Sequence, residues 1–393
     1  MVESTDPRRV RTDRGLYLVG MSVEPPRPRL NVDAVRGGPE IVDALAEDWR
    51  LLLEEAEDDQ PFYRPEWIGA YARAFASGKT LVVITARAGR DLKAVLPLVE
   101  ERGLFSGVPV RKWRSAVNAH PGRFEMVCSA GPEGESAASA VWEFLREHAG
   151  WDILEFLYVP QGGALDRMVQ LAARDGYPTA ALPMPSSPYV SMAGWNDSDP
   201  RFFGTEHKFQ KDLRRRLRNL AAEGSIALEQ VDGAEPQALE NFYRLEGSGW
   251  KAREGSAISS RPETRQFYGE VAKAAGRFGY LTLYTLRLDE RMIAGHFGLS
   301  YRGCYFSPKI AFDESFRKFA PGHLIVHHIL HDRWERGLRE YDITGDADEW
   351  KSKWATGTRV QNHCFIFQRS AWGRMLHALQ FSVKPRVKKA LGR

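Results

Sequence analysis

Apolar positions recur along this chain with two periods, and the switches between them mark out its elements. From Ile41 the run IVDALAEDWRLLLEEA repeats apolar residues at steps of three and four, the spacing of a helix with one buried face. PEWIGAYARAFA, opened by Pro65, predicts a second helix with proline in its first turn. Short β-like runs follow in TLVVITAR, KAVLPLVEER and RFEMVCSA, then helix SAASAVWEFLREHA, strand WDILEFLYV and helix ALDRMVQLAARDG. Strands alternating with helices in this way predict an α/β sandwich.

The Pro/Ser-rich connector LPMPSSPYVSMAGWNDSDP interrupts the pattern and predicts a domain boundary. Beyond it the rhythm returns with helix HKFQKDLRRRLRNLAAEG, strand SIALEQV, and helices PQALENFYRLEGSGW and PETRQFYGEVAKAAGRFG. A meander of YLTLYTLRLDE, RMIAGHFGLSY and RGCYFSPKIAF follows, turning at Asp289-Glu290 and Arg302-Gly303. Helix GHLIVHHILHDRWERG, strand REYDITG, helix DEWKSKWA and strand NHCFIFQR complete the half. The expected organisation is a disordered lead over residues 1–40, an N-terminal domain over 41–185, a C-terminal domain over 186–370 and a basic amphipathic tail over 371–393. Two halves of similar size and rhythm read as a duplicated domain.

Composition narrows the function classes. A chain of 393 residues suits two domains, and 43% hydrophobic with 27% charged residues is the balance of a soluble globular protein. Lys and Arg number 55 against 51 Asp and Glu, a net charge of +4 that is too near neutral for a dedicated nucleic-acid binder. The longest apolar runs fall far short of the ~20 residues needed to cross a bilayer. The start, MVESTDPRRVRTDRG, has no apolar core of a secretory signal, so a cytoplasmic location is expected. Cys128, Cys304 and Cys364 are odd in number and widely spaced, which excludes a disulfide framework and a CxxC zinc knuckle.

The most informative stretch is strand, loop, helix: GCYFSPKIAFDESFRKFAPGHLIVHHIL. Arg317, Ala320 and Gly322 stand at positions one, four and six of the loop. Small residues there let backbone amides approach a ligand, and the helix that starts near Gly322 offers unpaired N–H groups and a positive dipole end. A pyrophosphate is the natural occupant; a plain helix-start turn at Pro321-Gly322 fits the same spacing.

This loop resembles the Q/R-x-x-G-x-G/A loop of the GNAT acyltransferases, with Ala320 in place of the first Gly and Pro321 intervening. Further blocks, SPYVSM, KFQKDLRRRLRNLAAEG, RMIAGHFGL, FAPGHLIVHHILHDRWERGLREYDITGD and EWKSKWATG, resemble the CelD/BcsL-like branch of that superfamily, which is related to FemAB-type transferases and bacterial ceramide synthases. The resemblance implies two GNAT-like α/β domains in tandem, each a mixed, largely antiparallel sheet flanked by helices. It also implies acyl-CoA as co-substrate, no permanently bound cofactor and a direct transfer to an amine acceptor. A sphingoid base or an exopolysaccharide amino sugar is the preferred acceptor. The alternatives are a FemAB-like enzyme using aminoacyl-tRNA and a non-catalytic accessory protein of polysaccharide synthesis.

Such chemistry needs a group to take the proton of the amine and a donor, usually a backbone N–H on a splayed strand, where the thioester oxyanion develops. His296, placed by strand alternation with Met292, Ala294 and Gly298, is the first candidate base, since small neighbours leave room for a ligand; a half-buried sheet histidine is the other reading. Asp346, after Gly345 at the tip of strand EYDITGD, is the second, and an N-cap for helix DEWKSKWA is its structural alternative. Tyr305 is the candidate acid toward the departing thiolate. Lys309 and His323 join Arg317, Ala320 and Gly322 as expected acyl-CoA contacts. Lys208, Lys211 and Arg215 share a basic helix face with Arg218 and, with Trp250, are expected to bind substrate phosphates or anionic head groups; a merely solvated helix gives the same pattern.

His323, His327 and His331 step along one helix by fours, but HExxH is not formed and no metal is expected. At the C-terminus Trp372, Met375, Leu376 and Leu379 form an apolar stripe. Five basic residues follow between Lys384 and Arg393, which suits a peripheral contact with an anionic membrane.

Overall fold

Two-residue turns with left-handed backbone set up both sheets. Ser106-Gly107 and Arg302-Gly303 have positive φ at both positions, and Asp289 at the first of its turn, the geometry that matches the twist of antiparallel hairpins. The computed structural model describes residues 11–12, 15–16 and 30–383, apart from 119, 121, 149, 197–201, 233–234, 250–252 and 256.

The first half carries strands β1 (Arg11–Thr12), β2 (Gly15–Leu16), β3 (Leu30–Gly37), β4 (Leu81–Ala88), β5 (Asp91–Phe105), β6 (Val108–Ser115), β7 (Val127–Cys128), β8 (Ile153–Pro160) and β9 (Thr179–Pro183). Its helices are α1 (Glu40–Glu55), α2 (Pro65–Phe75), α3 (Gly131–Glu147) and α4 (Ala164–Arg174). The second half carries β10 (Ser187–Ser191), β11 (Ile226–Asp232), β12 (Leu281–Leu288), β13 (Arg291–Tyr301), β14 (Cys304–Phe312), β15 (Glu340–Asp342), β16 (Gly357–Arg359) and β17 (Gln361–Phe367). Its helices are α5 (His207–Ala221), α6 (Pro236–Glu246), α7 (Pro262–Arg277), α8 (Pro321–Glu335), α9 (Glu349–Ser352) and α10 (Ala371–Ala378).

The two sheets share one plan. In the first the order is β3-β4-β5-β6-β8-β17-β9, and in the second β11-β12-β13-β14-β15-β10-β16. Each opens with a four-stranded antiparallel meander; a helical crossover, through α3 or α8, then lays the next strand parallel to the fourth. The duplication expected from the rhythm is thus present in the topology.

The sixth strand of each sheet breaks the expected boundaries. β10 follows β9 along the chain yet pairs antiparallel with β15 in the second sheet, while β17 follows β16 yet pairs with β8 in the first. The connector expected to separate the domains therefore supplies a strand, and residues 361–367, expected in the C-terminal domain, complete the N-terminal sheet. The disordered lead also ends early, because Leu30–Gly37 forms β3 in full register with β4. Of the expected tail, α10 docks through buried Leu376, with Trp372 and Met375 left exposed; Lys384–Arg393 lies outside the described residues.

A single apolar core runs from α1, α2 and α3 across to α6, α7 and one face of the second sheet. Trp67 meets Phe267 edge-on with centroids 4.9 Å apart, and Phe62 meets Phe306 at 5.2 Å. A second core lies between the opposite face of that sheet and helices α5 and α8. The second sheet is consequently covered on both faces, and its apolar residues are buried on both.

Candidate active site

The site begins where two parallel strands part. β14 and β15 are paired at Cys304↔Glu340, Tyr305↔Tyr341 and Phe306↔Asp342, and there the pairing stops. Two local causes are visible. On β14, Ser307 and Pro308 together oppose Gly298, a bulge at a residue that has no N–H for a ladder. On the other side Thr344 and Gly345 have φ of 54° and 62°, which turns the chain after β15 away. One bond crosses the apex of the V, from Thr344 Oγ1 to the Ser307 carbonyl at 2.7 Å.

A cleft of about 520 Å³ opens in this V and is lined from both faces of the sheet. On the α8 side stand Arg317, Ala320, Gly322 and His323. On the α6 side stand Leu245, Glu246 and Lys309, joined by His120 from the N-terminal half. Ile310, Phe312, Ile343 and Trp350 add apolar wall. In the first half the corresponding gap between β6 and β8 is filled by the chain itself: Phe124, 2% exposed, hydrogen-bonds through its N–H to the Tyr158 carbonyl at 3.1 Å.

The expected loop residues converge here. Ala320 caps α8 in the left-handed region with φ 54° and ψ 52°, and Pro321 takes the first helical position. Arg317 is 72% exposed and 3.7 Å from Glu314. His323 accepts the Trp354 indole N–H on Nδ1 at 3.0 Å, which leaves the proton on Nε2. Burial first, then the nearby Lys353 and Arg216, pull its pKa down to about 4, so it stands as a neutral donor at the cleft wall.

Other expected residues are placed elsewhere. His296 is fully buried and does not itself line the cleft. The room left by its small neighbour is taken by protein, because a Cβ at Gly298 would lie 2.0 Å from the Tyr305 hydroxyl. Tyr305 is itself fully buried, bonded to His296 Nδ1 at 2.9 Å, and does not line the cleft. Asp346 is exposed and outside the cleft; neither does it cap α9, since Asp348 accepts the Lys351 N–H there at 3.1 Å. Lys208, Lys211 and Arg215 are exposed on α5, away from the cleft, and Arg215 pairs with Asp212 at 2.6 Å. Trp250 lies outside the described residues. Of the stepping histidines, His327 stacks on Phe202 at 4.2 Å, and burial lowers its pKa to about 4.

Among the cleft residues that were not foreseen are Glu246, Lys351, Ser307 and His120. Glu246 is buried at the end of α6, accepts the Ile258 N–H at 2.7 Å and lies 3.5 Å from Lys309 Nζ, which also sits over the Tyr268 ring at 5.5 Å. In sequence it reads as one more helix glutamate. Lys351 donates from Nζ to the Thr344 and Asp346 carbonyls at 3.0 and 2.8 Å, fixing the turn that opens the V, and burial lowers its pKa. Ser307 carried a signal, since a proline after it inside a strand marks a bulge. His120 had none, because its place depends on how the halves pack.

Residues 207–352 match the family model of the acetyltransferase (GNAT) domain. No curated protein matches the chain. Among solved structures, FemX is 12% identical over 88% of this chain and 99% of its own, with a TM-score of 0.56. The C-terminal domain of a protein described as a lysylphosphatidylglycerol synthetase, from Agrobacterium fabrum, is 12% identical over 87% of this chain and 96% of its own, with a TM-score of 0.51. L-PGS from Bacillus licheniformis is 11% identical over the same two shares, with a TM-score of 0.50. At such identities the likeness is one of fold. The chain is a tandem of two GNAT-like α/β domains, and its second half, over residues 207–352, matches the acetyltransferase (GNAT) domain and holds the open cleft.

Proposed function

We propose that this protein is an N-acyltransferase that moves an acyl group from acyl-CoA to a primary amine by direct transfer. The observation that carries the reading is the cleft itself: it passes through the sheet where β14 and β15 part, so donor and acceptor can enter from opposite faces. On the α8 face, the Gly322 N–H, the His323 Nε2–H and the Arg317 guanidinium suit the diphosphate of the coenzyme. The apolar walls suit its acyl arm.

On the α6 face we assign the proton of the amine to Glu246, which lies 3.5 Å from Lys309 Nζ. His296, expected as the base, is reachable only through another side chain. A bimolecular step becomes effectively unimolecular once thioester and amine share the V, so no covalent enzyme intermediate is required.

For the acceptor we favour a membrane-associated amine, a sphingoid base or an exopolysaccharide amino sugar, in keeping with the CelD/BcsL-like blocks. The exposed basic face of α5 supports it, as does a fold relative described by a lipid product. No helix among the described residues is long and apolar enough to cross a membrane, so contact with a bilayer would be peripheral. The likeness to FemX over 88% of the chain favours one second reading, an aminoacyl-tRNA donor. Release of free CoA thiol by the purified protein, scanned over acyl-chain lengths and amines, tests the proposal. Thiol release that needs the amine is the expected result. Silence with every acyl-CoA, together with transfer from aminoacyl-tRNA, would transfer the case to the second reading.

A further inference from the structure

The floor of the cleft rests on four polar side chains that the reading above leaves without a task. Ser307 lines the cleft and is 5% exposed, while His296, Tyr305 and Tyr341 behind it are fully buried. Ser307 Oγ lies 2.7 Å from His296 Nε2 and 3.3 Å from the Tyr341 hydroxyl, and His296 Nδ1 lies 2.9 Å from the Tyr305 hydroxyl.

The protons in this chain can be assigned by asking where each donor can go. The Tyr305 O–H has His296 Nδ1 as its partner among the described residues. Were Nδ1 protonated, that buried phenol would be left with no acceptor among the described residues. Tyr305 therefore donates to Nδ1, and the imidazole proton sits on Nε2. The Nε2–H points to Ser307 Oγ at 2.7 Å rather than to the Tyr341 hydroxyl at 3.1 Å, and the Tyr341 O–H, facing a protonated nitrogen, donates to the same serine oxygen. Both acceptor positions of Ser307 are then occupied from below, and its own O–H is left to point into the cleft.

The backbone makes this donor useful. Ser307 stands at the apex of the V, and the residue after it in the bulge is Pro308, which has no N–H to offer a developing oxyanion. We infer that the Ser307 hydroxyl fills that role: it donates to the carbonyl oxygen of the bound thioester, and the bond strengthens as the amine adds. The inference rests on the acyl-transfer reading. In the step, the amine nitrogen bonds to the carbonyl carbon, the C=O π electrons move onto the oxygen held by Ser307, and Glu246 takes the amine proton. Collapse restores the C=O, breaks the C–S bond, and the proton returns from Glu246 to the thiolate sulfur. Ser307 forms no bond to carbon. His296 and Tyr341 are positioning residues, and Tyr305 sets the tautomer.

Two measurements on the full chain test this. In steady-state thiol release, Ser307→Ala should lower kcat by ~100-fold, the loss typical of one oxyanion donor, with the KM for acyl-CoA moved less than about threefold and the pH profile in place. Ser307→Thr, which keeps the hydroxyl, should recover most of that loss. In vibrational spectra of the bound thioester, the carbonyl stretch of the wild type should lie at lower frequency than in Ser307→Ala. A kcat fall under threefold, an acyl adduct on Ser307, a displaced acidic limb of the pH profile in Ser307→Ala, or an unshifted carbonyl stretch would each overturn the inference. A wild-type protein that binds acyl-CoA but releases no thiol counts against the acyl-transfer reading alone, because the carbonyl stretch still reports the hydrogen bond.

Discussion

Arg123 of the N-terminal half and Asp342 at the end of β15 meet at 2.8 Å, with side chains 1% and 0% exposed. Arg359 shares the same carboxylate at 3.3 Å, and Asp342 also accepts the Thr344 N–H at 2.9 Å. The pair thus ties the N-terminal half to the strand end at which the cleft opens. Removing Asp342 leaves the Arg123 charge buried and uncompensated, whereas removing Arg123 leaves Asp342 with Arg359. Asp342→Asn is expected to cost about 3–5 kcal/mol in urea unfolding and Arg123→Met less, with the double variant well short of the sum.

Glu125 is a second buried acid, and burial is the largest influence on it. Its Oε1 accepts the Met126 and Leu165 N–H groups at 2.9 and 2.7 Å, yet burial outweighs these bonds and pushes its pKa up from 4.5 to about 8. Below 4.5 the carboxyl is protonated whether the chain is folded or not; between 4.5 and 8 only the folded chain keeps the proton. Its contribution to stability is therefore full at low pH and is lost as pH rises through this window, by at most ~1.4 kcal/mol per pH unit. Unfolding free energies of Glu125→Gln, which cannot titrate, should lack that slope relative to the wild type.

Glu246 is assigned the proton of the amine. Glu246→Gln keeps the shape and an acceptor for the Ile258 N–H but removes the base. Turnover should fall by ~10²–10⁴-fold while binding of the coenzyme, followed by calorimetry, is retained. Equal loss of binding and turnover would point to a structural role at the end of α6.

Gly298 makes room for the Tyr305 hydroxyl. A methyl group placed there would lie 2.0 Å from that oxygen and 2.1 Å from the ring carbon bearing it. Gly298→Ala should cost about 1–3 kcal/mol through overpacking. It should also lower kcat, since displaced Tyr305 no longer holds His296.

Ala320 stands in the left-handed region at the start of α8, where an L side chain costs about 1–2 kcal/mol. Ala320→Gly should raise the thermal midpoint and leave acyl-CoA affinity within a few-fold. A fall in stability would mean that the methyl group contributes packing beyond its backbone strain.

Much of this protein is written along the chain. The meanders follow from alternation with turn residues at Asp289 and Arg302-Gly303, and the helix that opens at Pro321 follows from punctuation, because local sterics and hydrogen bonding decide such elements over a few residues. The Arg317–Gly322 loop was legible for the same reason, its helix-start turn being set locally. Tertiary structure decided what alternation cannot encode. Alternation put His296 on a face with small neighbours, but whether a ligand or Tyr305 fills the space beside Gly298 depends on the bulged strand β14, where Tyr305 stands nine residues after His296. That β10 and β17 trade sheets, and that His120 and Glu246 reach one cleft, depends on pairings between segments far apart in sequence. These pairings arise from burying the shared core of the two halves, a term set by the whole assembly and by no local run of residues.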